Sequence, residues 1–107
     1  MMELSISDIR ELLADKAEPS DNGGFEIDQK VFIRTITHYY VGLVDTITPS
    51  MIGLTTASWV ADTGLFSEML MEGTINELEP FVDRVYVSRG SIVDHTLWNH
   101  QLPRERK

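Results

Sequence analysis

The chain contains no cysteine. That removes disulfide staples, thiolate catalysis and cysteine-ligated zinc together, so stability has to come from packing. There is no apolar run near the roughly 18 residues of a membrane span, and Met1-Met2-Glu3-Leu4 lacks the basic start of a signal peptide. These absences predict a soluble intracellular protein. Basic residues are scarce: 9 Lys and Arg stand against 17 Asp and Glu, giving a net charge of −8. Nucleic-acid binding is therefore not favoured, because phosphate neutralisation normally dominates that affinity. No internal repeat, low-complexity tract or recognisable nucleophile turn is present.

What remains is a single-domain length of 107 residues, able to bury roughly 65% of its unfolded surface in one core. The charge is unevenly distributed. Residues 1–28 hold eight acids against Arg10 and Lys16, whereas residues 84–107 hold five basic residues against Asp94 and Glu105. Such polarity suits head-to-tail contact between copies or docking on a basic partner, and an acidic surface also serves solubility.

Along the chain, Ser5-Ile6-Ser7-Asp8 is a capping box, and Ile6, Ile9, Leu12 and Leu13 share one helical face, which predicts a helix over about 5–16. A flexible loop follows over 18–24, through Pro19-Ser20-Asp21-Asn22-Gly23-Gly24, with Phe25 and Ile27 expected to anchor its far end. Residues 30–41 read as one long strand with large residues on both faces, so both faces are expected to be covered. Ile36 is assigned to that buried set. Gly42 marks a bend or bulge before Leu43–Thr48, and Pro49-Ser50 turns the chain into a strand over 51–60.

The period then changes. Leu65, Phe66, Met69 and Leu70 are helically spaced and Gly73 is placed as a C-terminal cap, while Thr74-Ile75-Asn76-Glu77 suggests one further helical turn before Pro80. This predicts a helical insertion over 64–79 between the third and fourth strands. Arg84–Ser88 and Ser91–Trp98 read as a closing hairpin around Arg89-Gly90, and residues 102–107 form a polar tail unable to pack alone. The fold class is thus mainly β with short helices: a strongly bent five-stranded barrel over 30–98, with an N-terminal helix, in one domain.

Two patches give this order a family likeness. Gly42-x-Val44-x-x-Ile47 with Met51-Ile52-Gly53-Leu54, and Val87-Ser88-Arg89-Gly90-Ser91-Ile92-Val93, resemble the two motifs of the Sm-like barrel, a variant of the SH3-type small barrel. RNA-binding Sm proteins usually carry an Asp-Asn-like pair in the third strand, where this chain has Ile52-Gly53. The resemblance therefore implies ring or edge-strand association more than RNA recognition. A wider likeness, through Arg34-Thr35-Ile36-Thr37-His38-Tyr39-Tyr40-x-Gly42, Ala57–Phe66 and Arg89-Gly90-x-Ile92-Val93-Asp94, is to small phage and prophage proteins of uncharacterised function. It implies a virion, assembly or host-interaction role, in the host cytoplasm or virion.

The candidate site residues are partner- or ligand-binding ones. His38-Tyr39-Tyr40 offers rings for stacking, although an aromatic core with tips at the barrel rim explains Tyr39 and Tyr40 equally. Trp59 and Trp98 either seal the barrel or anchor a partner. Arg89 presents a planar fork suited to phosphate or carboxylate. Met69, with Leu70 and Met71, makes an apolar helix of which only part can face one core. His38, His95, His100 and Asp94 match no established metal-ligand spacing, and Ser58 and Ser91 sit in no nucleophile turn. No catalytic, metal or cofactor site is assigned. The expectation is a non-enzymatic component that self-associates or docks on a larger assembly. The alternatives are an Sm-like RNA- or ligand-binding module and an acidic inhibitor of a host nucleic-acid enzyme acting through residues 3–28.

Overall fold

The computed structural model describes residues 22–107. The expected N-terminal helix, its capping box and most of the loop 18–24 lie outside the described residues. Six strands and one helix follow: β1 (Lys30–Thr35), β2 (Tyr39–Ile47), β3 (Met51–Asp62), α1 (Phe66–Glu72), β4 (Glu77–Pro80), β5 (Val85–Ser88) and β6 (Ile92–Leu97). All strand pairs are antiparallel, in the order β4-β3-β2-β1-β6, with β5 also on β3. The mainly β class stands, but the sheet has six strands and is not closed, where a closed five-stranded barrel was expected.

The bend sits where glycine marks it. Opposite Gly42 the β2–β3 register shifts, and β3 holds Thr56 at φ 46, a left-handed value that a β-branched residue rarely adopts. A Cβ on Gly42 would lie 2.9 Å from the Ala57 Cβ, so only glycine permits this approach. On one side of this bulge, Met51–Leu54 pair with β5; on the other, Ser58–Asp62 pair with β4. The edge of β3 away from β2 thus serves two neighbours.

Three local expectations are corrected. The run 30–41 is broken at 36–38, because the Thr35 hydroxyl donates to the His38 carbonyl at 2.6 Å and accepts from the His38 amide at 2.9 Å, closing a turn. Ile36 lies in that turn and is 75% exposed rather than buried. Residues 77–80 form a strand and not a helical turn. Leu78 is buried between exposed Glu77 and Glu79, a period of two that β3 satisfies by pairing. Arg89–Ser91 is a 3₁₀ turn rather than a hairpin turn, since Gly90 lacks the positive φ that a two-residue hairpin loop needs there. β5 and β6 therefore part company, one to β3 and the other to β1.

Both sheet faces are covered, as the two-sided pattern of β1 predicted. Val31 and Ile33 join Val44, Ile52, Leu54 and Val87 on one face. Phe32 joins Val41, Val60, Met69, Leu78 and Trp98 on the other, beneath α1. Gly73 caps α1 in the left-handed conformation, its amide bonded to the Met69 carbonyl at 2.8 Å, as the sequence suggested. Phe25 is buried, but Ile27 is exposed and anchors nothing. The segment 102–107 does pack, because Leu102 lies against the second cluster and Lys107 bonds to the backbone of Leu78.

Candidate functional site

Strand register brings one group of aromatic residues to the surface. Tyr40 stands opposite Trp59, and Trp59 stands opposite Glu79. Directly paired residues of an antiparallel sheet share a face, so the three side chains form a row across β2, β3 and β4. The next positions along that face, Gly42 and Ala57, are small. Beyond them the Phe81 amide donates to the Ala57 carbonyl at 2.8 Å, which fixes the Phe81 ring beside Tyr40. Their ring centroids are 6.1 Å apart at an interplanar angle of 26°.

His38 completes an arc. Its ring lies 6.3 Å from that of Tyr40 and 5.9 Å from that of Trp59, the latter edge to face. Its Nδ1 is 2.8 Å from the Thr37 hydroxyl. The four rings, with Glu79 and Pro80, line a cleft of about 370 Å³. Phe81 is 39% exposed at its mouth and the neighbouring Val82 is 99% exposed. A larger gap of about 840 Å³ runs between the segment 101–107 and Ile75, Leu78 and Lys30. It separates a strap of chain from the sheet and gathers no aromatic residues.

Of the residues singled out in the sequence, His38, Tyr40 and Trp59 meet here. Tyr39 points to the opposite face, 5.8 Å from Phe32. Met69 is fully buried and Trp98 is 1% exposed, its indole N–H donating to the Gln101 carbonyl at 3.0 Å, so both side chains belong to the core. Arg89 lies elsewhere and braces the β2–β3 turn: its Nη1 donates to the Thr48 carbonyl at 2.8 Å and its amide to the Ser50 carbonyl at 2.9 Å. Phe81 and Glu79 were missed. The signal was the alternation Glu77-Leu78-Glu79-Pro80-Phe81, with proline closing a short strand.

Several charged side chains of the strands are engaged. Arg34 grips both Asp94 oxygens, from Nε at 2.7 Å and Nη2 at 2.5 Å, and holds that carboxyl below the usual carboxylate range. Its guanidinium also sits 4.8 Å from the Phe66 ring centre. Arg84 donates to Asp45 at 2.8 Å and lowers its pKa, with a further hydrogen bond from Thr46. Lys30 Nζ donates to the His100 carbonyl.

The three histidines occupy separate places. His95 stacks on Phe25 with Nε2 near the Gly23 carbonyl, and His100 Nε2 meets the Leu70 carbonyl. Among the described residues no three metal-ligating side chains come together. The Ser91 hydroxyl donates to the Ser88 carbonyl at 2.8 Å, and the Ser58 hydroxyl is buried. No helix of the described residues is long and apolar enough to cross a membrane. Compared with protein-family models, curated proteins and solved structures, the chain matches none.

Proposed function

We propose that this chain is a non-enzymatic interaction component that joins further copies of itself through its sheet edges. The observation that carries the reading is that β5 pairs only with β3 and β6 only with β1, so one sheet ends in two different open edges among the described residues. An open edge presents a row of unmatched backbone donors and acceptors, which a second strand satisfies. The β4 edge, by contrast, is met by Lys107.

Contact between a β5 edge and a β6 edge is heterologous, and repetition of it gives a ring where the rotation closes. Connectivity supports an Sm- or SH3-like reading of β1, β2, β3, β5 and β6, in which the last strand returns to the first while the sheet stays open. The phage-type setting, in a virion or the host cytoplasm, is supported by the sequence resemblance.

Light scattering across a micromolar to millimolar range tests this reading. The expected result is a discrete oligomer, reduced to monomer by Val93→Lys on β6, whose side chain is 65% exposed. A wild-type protein that stays monomeric throughout the range overturns it.

A further inference from the structure

We infer that the cleft lined by His38, Tyr40, Trp59, Phe81 and Glu79 receives a lysine or arginine side chain from a basic segment of a partner protein. Aromatic faces carry negative charge density, and a cation within ~6 Å of a ring centroid is attracted to it. Here the four rings form a continuous arc from Trp59 through His38 and Tyr40 to Phe81. Glu79 and Pro80 of β4 complete the lining between the two ends.

The charge pattern selects the occupant. Glu79 shares the face of Trp59 and has no ion pair among the described residues. Arg34 is engaged with Asp94, Arg84 with Asp45, and Arg89 and Lys30 with backbone carbonyls, while Arg104, Arg106 and Lys107 form no ion pair with Glu79. Both cation–π contacts among the described residues are also elsewhere, at Phe66 and Tyr86. The cleft thus combines partly exposed rings and an unmatched carboxylate on a chain of net charge −8. A phosphate chain is repelled by that combination. A proline-rich ligand would use the rings but leave Glu79 unmatched. A basic side chain uses both, with its alkyl stem over Pro80 and its charged end toward the carboxylate. This inference does not depend on the pairing of the sheet edges.

The test is fluorescence titration of the full chain with an octapeptide of alternating arginine and serine, against the same peptide carrying citrulline, which keeps the shape of arginine without its charge. Trp98 is buried, so the response reports Trp59. The expected result is saturable quenching, about tenfold weaker for citrulline, and a loss of about fivefold in both Glu79→Gln and Phe81→Ala. Equal binding of the two peptides, an unaffected Glu79→Gln, or no response at millimolar peptide overturns the inference. So does tighter binding of octaproline or of an eight-nucleotide RNA. A concentration-dependent change in Trp59 emission without peptide would place a second copy in the cleft and overturn it equally.

Discussion

Leu78 and Lys107 exchange both of their backbone hydrogen bonds, amide to carbonyl at 3.2 Å in one direction and 3.0 Å in the other. A segment that is polar in sequence is thereby tied along the outer side of β4, where Leu102 adds apolar contact to the cluster around Trp98. Removing residues 102–107 uncovers this edge and the buried Leu78. Stability should fall by about 1–3 kcal/mol, read from urea unfolding, and the freed edge should promote aggregation. An unchanged midpoint would mean that the strap contributes nothing to the sheet.

The bulge where β3 divides between two partners makes opposite demands on its two sides. Gly42→Ala places a methyl 2.9 Å from the Ala57 Cβ and 3.1 Å from its Cα, neither of which can retreat without moving the strand, so the variant should lose about 1–3 kcal/mol. Across the ladder, Thr56→Gly relieves a left-handed β-branched residue and should gain about 0.5–1 kcal/mol despite the entropy glycine adds to the unfolded chain. Paired denaturant melts decide both signs.

Ile36 and Ile33 look alike in sequence and differ in place. Ile33 is fully buried, so Ile33→Ala should cost about 2–5 kcal/mol. Ile36 sits in the turn held by Thr35, and Ile36→Ala should change stability by less than about 0.5 kcal/mol. A large loss at Ile36 would show that its side chain is covered.

The pattern of successes and failures along the chain follows how local each signal is. Gly42 and Gly73 were readable because a close approach and a helix stop depend on a residue's own backbone. The two covered faces of β1 were readable from its doubly apolar pattern. Thr74-Ile75-Asn76-Glu77 satisfies a capping box on paper, yet the segment beside it is a strand because β3 offers it a ladder, a choice made far away in sequence. Arg89-Gly90 suffers the same fate: a turn signal is there, but only the partners of β5 and β6 decide whether the strands stay together. The cleft was half visible. His38, Tyr40 and Trp59 stood out by type, whereas Phe81 and Glu79 join them only through the pairing of β3 with the β4 segment.

Acid should weaken the fold through Asp45 and Asp94. Both carboxyls are held below their ordinary range, first by hydrogen bonds from Arg84 and Arg34 respectively. A depressed folded-state pKa contributes stability that is present above the unfolded value of about 3.9 and is lost as pH falls through the folded value. Unfolding followed from pH 6 to 2 by circular dichroism should therefore show a loss beginning near pH 4, shallower in an Asp45→Asn/Asp94→Asn double variant. Because these pairs are exposed, the difference should be small and should shrink further in high salt. An identical acid limb in the double variant would remove both pairs from the account.

Ser58 supplies the remaining case, a polar atom where the sheet has no use for one. Its side chain is completely buried, and its hydroxyl finds no hydrogen-bond partner among the described residues. Its cross-strand neighbours are Val41 on one side and Pro80 on the other, both apolar. A buried hydroxyl without a partner keeps its desolvation cost, about 1–3 kcal/mol, and returns nothing for it. Ser58→Ala removes that oxygen at a small loss of volume, so the variant should be as stable as the wild type or up to about 1 kcal/mol more stable in urea. Tyr40, Trp59 and Glu79 of the cleft lie on the other face, so peptide quenching of Trp59 should be unchanged. If Ser58→Ala instead loses more than about 0.5 kcal/mol, the hydroxyl has a partner in the folded chain.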